Sequence, residues 1–180
     1  MSQFVNRMIR AAKLDAQVYE EVEADKSTMP QAMGVVVLSS AAGGIGFMQE
    51  TGLSGLVFGT VLSLAGWYIW AFVTYLIGTK LLPEPQTSAD LGELLRTIGF
   101  SSAPGLIRVF AIIPALELGI TLVATVWMLV AMVVAVRQAL DYQSTYRAIG
   151  VCLLGWIAQT VILLVIVWMM GGLPEPMPAN

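Results

Sequence analysis

Histidine is absent from these 180 residues, and cysteine occurs once, at Cys152. The first absence excludes histidine metal sites, bis-histidine haem ligation and every catalytic triad that needs an imidazole base. The second excludes an internal disulfide and a cysteine metal cluster. No cofactor is therefore expected. Charge is scarce as well. Charged residues make up 12% of the chain, against roughly a quarter in soluble domains. The net charge is −3 and Lys and Arg nowhere cluster, which argues against a nucleic-acid partner. A cleavable leader is not expected either, because the first 28 residues are polar and mixed in charge.

What is abundant is apolar sequence, at 57%. Read along the chain, it falls into five stretches of bilayer length, about 20 residues at 1.5 Å each. These are residues 29–49, 55–80, 94–114, 116–136 and 148–171. The expected fold class is all-α: a polytopic membrane protein with five transmembrane helices and an N-terminal amphipathic helix. Residues 1–28 form the cytoplasmic segment, 29–173 the membrane domain and 174–180 a short outside tail.

Within residues 2–25, Phe4, Val5, Met8, Ile9, Ala12, Ala16, Tyr19 and Val22 share one helical face. The segment reads as one amphipathic helix, or as two meeting near Asp15. Basic residues open it, against the helix dipole, and Asp15 is placed to cap a second helix from Ala16. Two settings are open: the membrane surface, where Arg7, Arg10 and Lys13 would meet anionic headgroups, or the cytoplasmic end of the bundle.

The first stretch is rich in small residues. Ser39, Gly43, Gly44 and Gly46, with Gly55 and Gly59 in the second, have the four-residue spacing that lets helices approach closely. Gly43-Gly44-Ile45-Gly46 lacks the Lys-Ser/Thr pair and preceding strand of a phosphate loop. The third stretch is the flawed one. Arg96 and Arg108 interrupt it, Gly99, Ser101, Ser102, Pro104 and Gly105 crowd its middle, and Pro114 closes it. Such a segment survives in lipid only when other helices shield it. It reads either as a helix kinked at Pro104 or as two half-helices with residues 99–104 unwound. An ionisable group inside a span is a functional-site hypothesis. Arg108, paired with Glu117 or Glu50, forms the candidate intramembrane site together with Gly99, Phe100, Ser101 and Pro104. Neither histidine nor a nearby lysine is present to activate Ser101, so no catalysis is assigned there.

Lys and Arg sort by side. Arg7, Arg10, Lys13, Lys26, Lys80, Arg96, Arg137 and Arg147 fall on alternate connections, which predicts a cytoplasmic N-terminus and an outside C-terminus.

Several stretches together resemble the Yip family. They are Leu14-Asp15 and Val18-Tyr19-Glu20-Glu21-Val22 before the first span; Leu94-Leu95-Arg96-Thr97-Ile98-Gly99-Phe100-Ser101-Ser102-Ala103-Pro104-Gly105 in the third; and Val136-Arg137-Gln138-Ala139-Leu140 with Tyr146-Arg147-Ala148 after the fourth. Yip proteins are integral membrane proteins that in eukaryotes interact with Ypt/Rab GTPases and that have bacterial relatives. The resemblance implies five spans, a cytoplasmic N-terminus and a non-enzymatic scaffold or accessory subunit. It would act through contacts with the lipid bilayer and with other membrane proteins or further copies of itself. The short N-terminal segment and compact loops resemble the bacterial type, which implies the plasma (inner) membrane. An Asp-Leu-Tyr-Gly-Pro type motif is missing, and this leaves a GTPase partner unassigned. The alternative is a small transporter or channel with its site at the broken third helix.

Overall fold

A computed structural model describes residues 2–45 and 48–169. Within them every regular element is helical. The order is α1 (Gln3–Ala12), α2 (Ala16–Ala24), α3 (Met29–Gly44), α4 (Met48–Leu76), α5 (Leu91–Ser101), α6 (Glu117–Ala139) and α7 (Thr145–Met169). A wide π turn, Ile77–Leu81, extends α4, and a 3₁₀ segment, Ala103–Ile112, follows α5.

Three helical runs are long and apolar enough to cross a membrane: Gly52–Leu81, Glu117–Ala139 and Thr145–Met169. They turn large side chains outward. Phe58 is 65% exposed, Leu118 74% and Trp168 76%, an arrangement stable only against lipid or a partner. Their inner faces are small. On α6, Ala124, Ala131, Ala135 and Ala139 are fully buried and form a seam against α5 and the 3₁₀ segment.

The other two expected spans differ from their sequence bounds. α3 begins at Met29 with Pro30 in its first turn, as expected, but has only 16 residues. That is about 24 Å, short of the roughly 30 Å of hydrocarbon. The polar turn expected after it is partly helical, since α4 begins at Met48 and bends at Gly52, whose φ of 64° and ψ of −166° suit only glycine. The third stretch follows neither expected form. Gly99, Phe100 and Ser101 lie inside regular α5, and the change comes at Ser102. Pro104 sits in the first turn of the 3₁₀ segment, where its missing N–H costs nothing. Eleven α-helical residues and ten 3₁₀ residues rise about 16 Å and about 20 Å. The tighter helix lets a short chain cover a long path.

The N-terminal helices are separate, and Asp15 divides them as expected. Its carboxylate accepts from the Gln17 amide at 3.0 Å, and Leu14 before it has φ 62°. They pack on α5, α6 and the 3₁₀ segment and touch α3 where Arg7 donates to Gln31, burying Ala11, Val18, Tyr19 and Val22 completely. Two of the three basic residues, Arg7 and Arg10, are engaged within the segment, and Lys13 is exposed. Arg10 binds Asp15 and Glu21, both at 2.7 Å, and Arg7 binds Asp25 at 3.2 Å.

α5 starts on a reciprocal cap, with Asp90 accepting from the Glu93 amide and Glu93 accepting from the Asp90 amide. Nearby, Tyr142 clamps the end of α4 by donating to the Gly78 and Leu82 carbonyls at 3.0 and 2.7 Å. Glu84 accepts from the Gln143 amide, and Arg147 donates to the Pro83 carbonyl. One end of the bundle thus collects α1, α2, the α4–α5 connection and the α6–α7 turn. Arg7, Arg10, Lys13, Lys26, Lys80, Arg96, Arg137 and Arg147 lie in or beside these elements, and Arg108 does not.

Candidate functional site

Two arginines of the third stretch do different work. Arg96 is 3% exposed. It reaches from α5 to the last turn of α2, where Nε donates to the Val22 carbonyl at 2.9 Å and Nη2 to the Glu23 carbonyl. A cation on helix C-terminal carbonyls answers both their free lone pairs and the dipole. Around it stand Thr28, which donates to the Val22 carbonyl, Tyr19, which donates to the Ala11 carbonyl, and Trp127, which donates to the Ala12 carbonyl at 2.7 Å. Glu23 lies in the same place with one carboxylate oxygen buried and without a hydrogen-bond partner. Burial, reinforced by the carboxylates of Asp141, Glu93 and Glu20, pushes its pKa up to about 8, against the pull of Arg96.

Arg108 belongs to the interior of the bundle. Its Nε donates to the Gly105 carbonyl at 3.1 Å, and its Nη2 donates to both the carbonyl and the hydroxyl of Ser39 at 3.0 Å. A partly buried guanidinium needs hydrogen-bond acceptors in place of water, and these three bonds supply them. Gly43 and Gly105 make room for it. A Cβ on Gly43 would lie 3.0 Å from Nη1, and one on Gly105 would lie 2.9 Å from Nη2 and would collide with the Ser39 hydroxyl. Among the described residues Arg108 forms no ion pair. Glu117, expected as its partner, is exposed in the first turn of α6. The Glu50 side chain and Gly46 lie outside the described residues.

The other site residues support this arrangement. A Cβ on Gly99 would stand 2.8 Å from the Ala32 Cβ and 3.2 Å from its backbone, so α5 meets α3 there with no side chain between. Phe100 is fully buried beneath the N-terminal helices. Ser101 donates to the Ile98 carbonyl at 2.7 Å, which occupies the hydroxyl. The small residues of α3 split between two tasks. Ser39 and Gly43 face Arg108, and Gly44 meets Leu56 of α4. Gly55 and Gly59 border an open recess, and a Cβ on Gly59 would find nothing within 4 Å.

That recess has two chambers sharing Ser40, Ser63 and Arg108. The upper one, about 440 Å³, lies between α3 and α4 along Gly43, Gly44, Gly55, Leu56 and Gly59. The lower one, about 260 Å³, is lined by Trp67, Trp70, Met128, Met132, Ser102 and Gln159, with Val36 and Ile98 among its walls. The Gln159 side-chain oxygen is buried without a hydrogen-bond partner.

The sequence singled out Arg108 and left Arg96 at the membrane edge, yet Arg96 is the more deeply buried. Their twelve-residue separation carried no sign that a partner for Arg96 lay in α2.

A protein-family model described as the Yip1 domain matches residues 24–172. None of the curated proteins and no solved structure matches the chain.

Proposed function

The chain belongs to the Yip1 domain family, and from that premise we propose that it is a non-enzymatic scaffold or accessory subunit of a membrane assembly. The supporting observation is the fixing of α2. Arg96, Thr28, Tyr19 and Trp127 pin the N-terminal helices to the bundle, while Gln17, Glu20 and Glu21 stay exposed on the outer face of α2. An exposed polar face fixed on a lipid-embedded base, with Glu21 paired to Arg10 and Glu20 accepting from Gln138, is a surface for holding a partner. A freely floating amphipathic tail would need none of those buried bonds.

In this reading α3 and the α5–3₁₀ pair are the remaining two crossings, shielded by α4, α6 and α7. The N-terminus is cytoplasmic and the C-terminus outside. The gathering of eight of the nine Lys and Arg at one end supports that orientation, and the plasma (inner) membrane is the assigned location. The partners are other membrane proteins or further copies of this chain.

Native purification in mild detergent tests the role. The wild type should carry a stoichiometric partner or self-associate, and the E20K/E21K double variant should lose it. A monodisperse monomer in both, with the fold intact, would overturn the proposal. A reporter fused to the C-terminus tests the orientation.

The transporter reading draws on the recess at the broken third element. Against it, Ile98 on the wall of the lower chamber belongs to one buried apolar cluster and Phe100 to another. Solute flux through proteoliposomes would decide for transport.

A further inference from the structure

The polar chamber around Arg108 has features that helix packing does not require. It sits deep. Ser63 on α4 and Met128 on α6 are each about 16 Å from the starts of their runs at Gly52 and Glu117, counted at 1.5 Å per residue. Both positions therefore lie well inside their runs. At that depth an arginine is commonly compensated by a carboxylate, but Arg108 has only neutral acceptors among the described residues. Those three bonds use Nε and Nη2, while Nη1 donates to no described acceptor and stands beside Gly43 at the upper chamber.

Next to it Ser40 and Ser63 hydrogen-bond across the gap at 2.9 Å, and hydroxyls at that separation can share a further oxygen. Facing stripes of small residues ordinarily let helices close on each other. Here Gly59 faces open space, so the gap is kept where it would be easiest to shut. The upper chamber, at about 440 Å³, falls in the size range of small-ligand sites, about 300–1,000 Å³, and the lower one adjoins it. Aromatic and thioether walls below a cation, with hydroxyls at the rim, describe a site for a head that is charged and a body that is not.

We propose that the recess binds an organic oxyanion, a carboxylate or phosphate, with its charged oxygens on Arg108 beside Ser40 and Ser63 and its apolar part against Trp67, Trp70 and Met132. The oxyanion is either a free solute or the headgroup of an anionic lipid entering between α3 and α4; the recognition chemistry is the same. This rests on the domain being embedded in a bilayer and not on any protein partner, so a failed titration leaves the copurification result standing.

The full chain in phosphatidylcholine nanodiscs provides the test, read by intrinsic tryptophan fluorescence because Trp67 and Trp70 line the chamber. Benzoate and inorganic phosphate are titrated separately, and a third arm replaces part of the lipid with phosphatidylglycerol. The expected result is a saturable change, at least tenfold weaker in Arg108→Gln. A change confined to the phosphatidylglycerol arm and lost in Arg108→Gln assigns the lipid headgroup. Gly59→Leu fills the upper chamber without touching Arg108, and it should weaken the same response if Arg108→Gln does not fold. No saturable change in any arm, or equal affinities in wild type and the folded variants, would overturn the proposal.

Discussion

Replacing Arg96 by Leu should release α2 from the bundle while leaving α5 folded. The guanidinium makes two hydrogen bonds to carbonyls in the last turn of α2, at a site where the side chain is almost fully buried. A hydrogen bond from a charged group contributes about 1.5–3 kcal/mol. The two share one side chain and are not additive, so about 3 kcal/mol is a fair figure for the pair. The loss is deepened by the two stranded carbonyls. A drop of about 3 kcal/mol in the local opening free energy raises exchange roughly a hundredfold. The assay is amide hydrogen exchange of the purified protein in detergent, resolved over α2, α5 and α7. Arg96→Leu should speed α2 by about that factor and leave α7 unchanged. Arg96→Lys retains the charge but not the fork, and it should fall between. Protection of α2 within twofold of wild type in Arg96→Leu, with α5 intact, would refute the claim that this arginine holds the N-terminal helices down.

Glu23→Gln should remove a pH dependence. The folded pKa of Glu23 is pushed up to about 8 from an ordinary 4.5, so its contribution to stability is full below about pH 4.5 and is lost as pH rises through about 8. Thermal unfolding across pH 5–9 should therefore slope downward in wild type and flatten in the variant, with the gain largest at pH 9. Tyr142→Phe leaves the Gly78 and Leu82 carbonyls without their donor and should cost about 1–3 kcal/mol, measured as a lower unfolding temperature. Gly99→Val sets a branched side chain against the Ala32 backbone, where a Cβ alone is already at 2.8–3.2 Å. It should cost about 1–3 kcal/mol or more, while Gly59→Ala, facing open space, should be neutral or slightly stabilising.

The long helices were legible because lipid imposes length and polarity on a span one residue at a time. Residues 55–80, 116–136 and 148–171 announce themselves in that way, and α4, α6 and α7 follow them closely. The break at Asp15 was legible for a local reason too: a cap and a dipole conflict lie within a few residues. Long-range matters were not. That Arg96 would seek the carbonyls of α2 depends on a contact more than seventy residues away. The alanine seam of α6 did not stand out either, because alanine is ordinary in any helix and only the buried pattern gives it meaning. The glycines show the limit most clearly. Spacing identifies a small-residue face but not what stands opposite, and so Gly43 faces a guanidinium while Gly59 faces a void.

In the 3₁₀ segment side chains recur every third residue, so Gly105 and Arg108 stack in a single file toward Ser39 of α3, while Val109 and Phe110 look outward and are exposed. Inserting one residue between Gly105 and Arg108 would swing the guanidinium by about 120°, out among those apolar side chains and into the acyl chains. The same insertion in the connection between α4 and α5 would be absorbed by the loop. The spacing between these two positions therefore works as a ruler: the domain can change many of its letters more easily than it can change that count.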